Sequence, residues 1–315
     1  MRILSQFRAT CLLPLGVLAV SLSLPSSGQT DGELRQQYVG KTFVLRNFYQ
    51  GSKLIYDASG AVAGPASSGD WTMSGFTHIT SVRRSGRRLV FQADRVPVGN
   101  GGGSFHFRDY FIKNLDKKMV EEDSKVNKLH IEVDFAGRSL DTGSIQAALS
   151  RVFLTDNDRL ADLVPAYWQR CVRAASSPQS TDPYRSCRFL EEFTMIPGVA
   201  SPSPQPADDK QAADALPAGR LPRMGNGMTP PRVISQTEPE FSDAARRMRY
   251  QGTVVMGLVV SKTGEPQDIR IQTPIGFGLD QKAVESVAGW KFKPATRNGE
   301  PVDMPIAIEV NFHLY

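Results

Sequence analysis

Four histidines are the residues of this sequence best suited to acid–base or metal chemistry, and their positions are scattered. His78, His106 and His130 lie on predicted strands, and His313 is close to the end of the chain. No His-Glu-x-x-His, Gly-x-Ser-x-Gly or phosphate-loop pattern occurs, so no pattern fixes a nucleophile beside a base. The sequence therefore predicts no enzyme, no metal and no cofactor; a hydrolase in the N-terminal domain is the alternative, with no motif behind it.

A glycine-rich run and an acidic run also resemble functional motifs, but both are better interpreted as solvent-exposed segments. The glycine-rich run at residues 99–104 lacks the Lys-Ser and the following helix of a phosphate-binding loop, so it predicts a loop tip. Glu121, Glu122 and Asp123 form an acidic run without a partner pattern, which predicts a solvated surface.

The two cysteines outside the N-terminal segment predict one disulfide. Cys171 and Cys187 are separated by a short stretch of chain. An even cysteine count is typical of exported proteins, and closing so short a loop stabilises a fold by roughly 3 kcal/mol. The alternative is a metal pair, which the sequence disfavours because no other Cys or His lies nearby. A disulfide places the protein outside a reducing cytoplasm.

The N-terminal segment has the pattern of a signal peptide over residues 1–28. Arg2 and Arg8 precede an apolar stretch at residues 11–24, and Ser26 and Gly28 supply small residues before the expected cleavage point. An uncleaved membrane anchor is the alternative, although a membrane span needs about 20 apolar residues. A cleaved signal peptide predicts an exported protein, and an uncleaved anchor predicts a membrane-anchored one.

The length of 315 residues suggests about two domains. Residues 29–195 are strand-rich and end in a helical pair. Leu129, Ile131, Val133 and Phe135 alternate with polar residues, which predicts a half-buried antiparallel sheet or small barrel. Residues 196–231 are rich in Pro and Ala and predict a flexible linker. Residues 232–315 form a second domain. The net charge of +5 is too mild to indicate nucleic-acid binding.

The second domain has a readable order of elements. A helix capped by Ser242 is followed by a hairpin with its turn at Gly264, and then by a second helix that Asp280 can cap. The last strand alternates strictly, which places the following residues on one face: Ile306, Ile308, Val310, Phe312 and Leu314.

These elements carry a resemblance to a known family. The stretches GTVVMGLVVSKTGEPQDIRI and GLDQKAVESVAGWKFKPATRNGEPV, followed by a closing strand, resemble the C-terminal domain of the TonB family. The motif residues are Gly252, Gly264, Leu279, Asp280, Trp290, Phe292 and Pro294. The resemblance covers residues 232–315 and none of the first domain. It implies a small α+β unit with two helices on an antiparallel sheet.

The resemblance also implies a function. In the family's energy transducers this domain binds a short peptide of an outer-membrane transporter, which adds a strand to a sheet edge. The contact residues implied are Ser235, Gln236, Thr237, Glu238, Pro239, Ile306, Ile308, Val310, Phe312 and Leu314. Simple coverage of the sheet by these residues remains the alternative. The implied partner is an envelope protein, such as a TonB-dependent outer-membrane receptor, and a homodimer is left open.

Three departures from the family pattern shape the interpretation. No histidine precedes His78, whereas an energy transducer carries one in its membrane helix; the long Pro-Lys and Pro-Glu spacer is missing; and Phe241-Ser242 replaces the family's Tyr-Pro. We therefore expect a non-enzymatic periplasmic protein that binds an envelope partner. The alternative is an energy transducer anchored in the inner membrane, which would contact the membrane only if the N-terminal segment is retained.

Overall fold

A computed structural model describes residues 29–175, 187–189, 192–197 and 227–314. The predicted signal peptide and most of the predicted linker lie outside the described residues. None of the described helices combines the length and the apolar character that a membrane crossing requires.

The N-terminal region, residues 29–197, mixes strands and helices. Its strands are β1 (Thr42–Val44), β2 (Lys53–Asp57), β3 (Phe76–Ser85), β4 (Arg88–Arg95), β5 (Val98–Gly101), β6 (Ser104–Phe107) and β7 (Lys128–Asp134). Its helices are α1 (Asp31–Tyr38), α2 (Trp71–Ser74), α3 (Arg108–Phe111), α4 (Lys117–Val126), α5 (Thr142–Val152), α6 (Leu160–Leu163) and α7 (Ala166–Ala175), with a 3-10 turn at Ile112–Asn114.

Five of these strands form one sheet in the order β1-β3-β4-β7-β2. The predicted antiparallel pairing is present between β1, β3, β4 and β7. β2 departs from the prediction, because it pairs with β7 in parallel, with Leu54 opposite Ile131. The alternation of apolar and polar residues predicts which side chains of a strand are buried. Parallel and antiparallel strands show the same alternation, so it cannot predict the direction in which β2 pairs. β5 and β6 form a separate hairpin with its turn at the predicted glycine-rich tip.

The core of this sheet follows the predicted pattern on β7. Leu129, Ile131, Val133 and Phe135 are each at most 1% exposed. They pack against the apolar face of α5, which Asp141 caps by accepting a hydrogen bond from the Ser144 amide. The buried residues of that helix face are Ile145, Ala148, Leu149 and Val152.

The predicted disulfide is present. Cys171 on α7 and Cys187 are both fully buried, and their Cα atoms are 5.5 Å apart. The chain that follows Cys187 returns to the body of the N-terminal region, where Thr194 lies beside Phe43. The disulfide therefore joins α7 to a segment that packs on the sheet.

The C-terminal region, residues 227–314, contains strands β8 (Met228–Thr229), β9 (Arg232–Ser235), β10 (Gly252–Val260), β11 (Pro266–Thr273), β12 (Lys291–Lys293), β13 (Ala295–Arg297), β14 (Glu300–Val302) and β15 (Met304–Phe312). Its helices are α8 (Asp243–Arg247) and α9 (Leu279–Ala288). The central sheet is antiparallel, in the order β11-β10-β15, and two small sheets, β12-β9 and β14-β13-β8, flank it. The expected α+β class is confirmed.

Local signals explain these elements. Ser242 caps α8 by accepting a hydrogen bond from the Ala245 amide. Gly264 has a φ of 83°, and a Cβ there would lie 2.0 Å from the carbonyl oxygen of Phe292. Only glycine fits this turn, because both the conformation and the space exclude a side chain. β10 then pairs with β15 over nine residues, from Gly252 opposite Phe312 to Val260 opposite Met304.

The two regions share one hydrophobic core. Trp71, Phe105 and Trp168 of the N-terminal region belong to the same buried cluster as Phe277 and Leu279 of the C-terminal region. α7 also packs against β11. The C-terminal region is therefore docked on the N-terminal region in this structure.

Candidate functional site

β15 is an edge strand of the central sheet. Within the described part of the chain it pairs only with β10, so alternate N–H and C=O groups along its other edge have no strand partner. Pro305 has no amide hydrogen, so the backbone donors of β15 that follow it lie between Ile306 and Phe312 and alternate between the two edges. The stretch from Ile306 to Phe312 is long enough to pair with an extended peptide.

The two faces of β15 differ in burial. Val310 and Phe312 are buried at 4% and 1% exposure, whereas Ile306 and Ile308 are half-buried. Ala307, Glu309 and Asn311, on the opposite face, are exposed. A strand added at this edge would therefore continue an apolar face on one side and a polar face on the other.

Side chains hold the far end of β15 in place. The Phe312 ring lies edge-on to the Phe241 ring, with centroids 5.4 Å apart. The backbone amide of Leu314 donates to the Gln251 side chain at 3.0 Å. A ring contact and a hydrogen bond thus fix the end of the strand on the domain.

The other predicted contact segment, residues 235–239, lies in a different place. Ser235 ends β9, which pairs with β12 and not with β15. The Thr237 carbonyl accepts hydrogen bonds from Ser286 at 2.5 Å and from the indole N–H of Trp290 at 3.1 Å. The remaining predicted residues of this segment are Gln236, Glu238 and Pro239. The structure therefore separates the two predicted contact segments into two surfaces.

The motif residues lie mainly inside the C-terminal region. Leu279 is fully buried, and Trp290 and Phe292 are buried with ring centroids 6.3 Å apart. Gly252 begins β10, and Pro294 directly follows β12. Asp280 departs from its expected role, because the N-cap of α9 is Gly278. The Asp280 carboxylate instead accepts hydrogen bonds from the amides of Ile275 at 2.9 Å and Gly276 at 2.6 Å.

Residues 237–314 match the family model described as Gram-negative bacterial TonB protein C-terminal. This region is a TonB C-terminal domain. Protein tonB2 of Pseudomonas aeruginosa is 35% identical over 77 residues, which is 24% of this chain and 28% of that protein. Protein TonB of Vibrio cholerae is 31% identical over 86 residues, which is 27% of this chain and 35% of that protein. The chain thus spans about a third of the length of these curated relatives.

A solution structure of the Pseudomonas aeruginosa TonB C-terminal domain is also similar. It has 16% sequence identity, covers 29% of this chain and 91% of its own chain, and has a TM-score of 0.24. That TM-score is too low to support a structural comparison, so the family assignment rests on the sequence matches.

The TonB C-terminal domain has a second strand pairing, with the N-terminal region. The Asn100 amide donates to the Ile275 carbonyl at 2.8 Å, and the Phe277 amide donates to the Val98 carbonyl at 2.7 Å. Gly99 lies opposite Gly276, and a Cβ on Gly99 would be 2.3 Å from the Phe277 ring. The packing of the Phe277 ring against Gly99 therefore favours glycine there, and the close approach of the two backbones does so at Gly276, where a Cβ would lie 2.4 Å from the Val98 carbonyl oxygen.

Aromatic rings surround this pairing. The Phe111 ring packs edge-on against Phe277 at 5.0 Å and against Tyr250 at 5.3 Å. The Tyr250 hydroxyl lies 2.6 Å from the Asn100 carbonyl oxygen. The sequence did not indicate this contact, because the residues are far apart in the chain.

A buried ion pair also joins the two regions. It corrects the prediction of a solvated acidic run at Asp123, whereas Glu121 and Glu122 are exposed as predicted. Asp123 on α4 is 2% exposed and pairs with Arg108. Across the interface Arg247 on α8 lies 3.3 Å from the same carboxylate, and the Asn127 side chain donates to it at 2.9 Å. No local pattern could have revealed this role, since Arg247 is distant in sequence.

The histidines are dispersed over the structure. His130 lies 2.8 Å from Glu132, and His78 lies 3.2 Å from Thr42, both on the sheet of the N-terminal region. His106 stacks on Tyr110. Among the described residues no group of three or more His, Cys, Asp or Glu side chains could hold a metal ion.

Proposed function

We propose that this protein binds an extended segment of an envelope protein through the TonB C-terminal domain, by strand addition at the free edge of β15. The observation that carries the proposal is the edge itself: among the described residues, one side of this nine-residue strand pairs with β10 and the other has no strand partner. Backbone donors and acceptors alone can hold such a partner, so no catalytic residue is required.

The faces of β15 define the partner further. Ile306 and Ile308 favour apolar side chains on one face of the incoming strand, and Glu309 and Asn311 favour polar or basic side chains on the other. The partner class that fits is a peptide of about seven residues with alternating character, such as the periplasmic segment of a TonB-dependent outer-membrane receptor. A buried disulfide agrees with a periplasmic location.

Proline substitution tests the proposal. The amides of Ala307 and Ile308 point to opposite edges of β15, because successive residues of a strand alternate. Of the variants Ala307→Pro and Ile308→Pro, one therefore removes an amide donor from the unpaired edge and keeps the pairing with β10. The other removes a donor from the edge that faces β10. We expect the variant on the unpaired edge to keep its thermal stability and to lose binding of a receptor peptide in titration calorimetry.

A proline on the opposite edge strand provides the matched control. Gln267→Pro lies on β11, where the residue is exposed, and should leave peptide binding unchanged. If neither proline on β15 weakens binding, or if the β11 variant weakens it equally, strand addition at β15 is wrong.

A second function, energy transduction from the inner membrane, is favoured by the matches to two TonB proteins. It requires that the N-terminal segment is retained as an anchor. Intact mass and membrane fractionation of the native protein separate the two functions. Loss of about 28 residues together with a soluble envelope location supports the exported module. A full-length protein in the inner membrane that co-purifies with the motor proteins supports the transducer.

A further inference from the structure

The hairpin between β3 and β4 concentrates positive charge at its tip. Ser85 pairs with Arg88, so the turn itself consists of Gly86 and Arg87. Residues 85–88 are all exposed, and a Cβ on Gly86 would have no neighbouring atom within 4 Å, so the turn projects into solvent. We call this segment the basic tip, and its arginines are Arg83, Arg84, Arg87 and Arg88.

Two arginines of the basic tip are paired with acids of the same region. Arg88 lies 3.0 Å from Asp134 and 3.2 Å from Glu132, both on the neighbouring strand β7. The Arg84 guanidinium lies 3.6 Å from Asp31 at the start of α1, which is beyond hydrogen-bonding distance. Two buried nitrogen atoms of Arg84 have no acceptor within the described part of the chain. The charge of Arg88 is therefore balanced by acids, whereas that of Arg84 is balanced only in part.

The other two arginines of the basic tip have no acid beside them. Arg83 and Arg87 are exposed, and no ion pair joins either of them to another described residue. The Phe135 amide donates to the Arg87 carbonyl at 2.9 Å, which fixes the turn on the end of β7. The basic tip therefore presents unbalanced charge on a backbone that is already ordered.

The start of the described chain lies beside the basic tip. Asp31, which contacts Arg84, is separated from the apolar stretch at residues 11–24 by residues 25–30. A connection of this length spans at most roughly 20 Å when it is fully extended. A bilayer that holds the apolar stretch would therefore have its headgroups within reach of the basic tip.

We propose that the basic tip docks on the anionic surface of a phospholipid bilayer, with its arginines donating to headgroup phosphates. The planar guanidinium suits this partner, because it donates two parallel hydrogen bonds to a phosphate. A few arginines give a weak and reversible contact, which adds to any other membrane attachment of the chain. The proposal concerns the N-terminal region and does not depend on strand addition at β15.

Binding to vesicles of defined composition tests the docking. The chain from Gln29 onward is used, because it contains every described helix and strand and lacks the apolar residues 11–24, which would bind any bilayer. We expect it to co-sediment with phosphatidylcholine vesicles that contain phosphatidylglycerol, and not with vesicles of phosphatidylcholine alone. Raising the sodium chloride concentration should release the protein, because salt screens exposed charges.

Paired substitutions assign the contact to the basic tip. Arg83→Gln with Arg87→Gln should lower the partition coefficient onto the anionic vesicles by about 25-fold, which is about fivefold per arginine. Lys293→Gln with Arg297→Gln is the matched control, because it removes the same charge from exposed positions of the C-terminal region, and it should leave the coefficient unchanged. Arg83→Lys with Arg87→Lys keeps the charge and should retain binding. All three proteins should keep the Tm of the unaltered chain.

Three results would overturn the docking: equal binding to both kinds of vesicle, an equal loss of binding in the two glutamine pairs, or unchanged binding when Arg83 and Arg87 are replaced by glutamine. If that pair fails to fold, Arg87→Gln alone, in the turn, takes its place. Inorganic phosphate distinguishes a bilayer surface from a site for one phosphate ion. Phosphate should release the protein no better than chloride at equal ionic strength, and release at a much lower ionic strength would contradict the proposal.

Discussion

Two stretches of the C-terminal domain offer backbone groups to a second strand, and they differ in their surroundings. Residues 275–277 pair with β5 of the same chain, with glycine opposite glycine, and the buried Phe277 ring packs there against the partly buried rings of Phe111 and Tyr250. The free edge of β15 carries ordinary side chains, of which Ala307, Glu309 and Asn311 are exposed.

This difference indicates that the two surfaces differ in how strictly they select the sequence of the strand that pairs with them. At residues 275–277 a Cβ on Gly99 would meet the Phe277 ring, and a Cβ on Gly276 would lie 2.4 Å from the Val98 carbonyl oxygen. The contact therefore excludes side chains at both positions. At β15 the main-chain groups are open and the side chains constrain the partner only by face. The first surface suits a permanent intramolecular contact, and the second suits an exchangeable partner.

The largest expected effect is at Phe277, which would break the intramolecular surface. Phe277→Ala should lower the free energy of unfolding by about 3–5 kcal/mol, because the fully buried ring leaves a cavity between the two regions. Urea denaturation of the full chain measures the loss. A loss below about 1 kcal/mol would mean that the ring is not part of a well-packed core.

The next effect is at the buried ion pair. Asp123→Ala should cost about 3 kcal/mol, because Arg108 is left as a buried charge without its carboxylate. Asp109→Ala is the matched control, since Asp109 lies 3.6 Å from the same arginine but its side chain is 83% exposed. The control should change the unfolding free energy by less than about 0.5 kcal/mol. Equal losses in both variants would contradict the burial argument.

The disulfide is expected to stabilise the contact between the two regions, because it fixes α7, which packs against β11 of the C-terminal region. The double variant Cys171→Ala with Cys187→Ala should lose about 3 kcal/mol of stability. Differential scanning calorimetry under oxidising and reducing conditions measures it: reductant should lower the Tm of the wild type and leave the double variant unchanged. A wild type insensitive to reductant even after unfolding and refolding would be inconsistent with this role.

The smallest stability effect is expected at the free edge. Glu309→Gln should change the unfolding free energy by less than about 0.5 kcal/mol, because the residue is exposed. The same change should weaken a peptide with a basic residue opposite this position, and a peptide with a neutral residue there should bind equally well to both proteins. A large loss of stability would show that β15 has a structural role that the free edge does not suggest.

Several elements could be predicted because their signals are local. Alternation on β7 predicted its buried face, Ser242 predicted the start of α8, and the two cysteines predicted their disulfide. The contact residues on β15 and in residues 235–239 remain predictions. The structure adds that β15 lies in the central sheet, whereas Ser235 ends a strand of another sheet and residues 236–239 follow it outside any strand. Their positions along the chain could not indicate this separation.

Other features depended on residues distant in sequence. The direction of β2 beside β7, the burial of Asp123 and the altered role of Asp280 were all missed. In each case the residue type is compatible with two environments, and the choice is made by packing against a remote part of the chain.

The sequence by itself determined the periodic elements, the disulfide and the family of the C-terminal domain, because each follows from residue types at short spacing. Only the tertiary structure decided that the two regions dock, that residues 276–278 adopt left-handed conformations at the contact, and that Asp123 and Asp280 are buried. The physical reason is that burial is a property of the assembled chain. A carboxyl group has the same sequence signature in solvent and in a core, and only its neighbours determine its proton affinity.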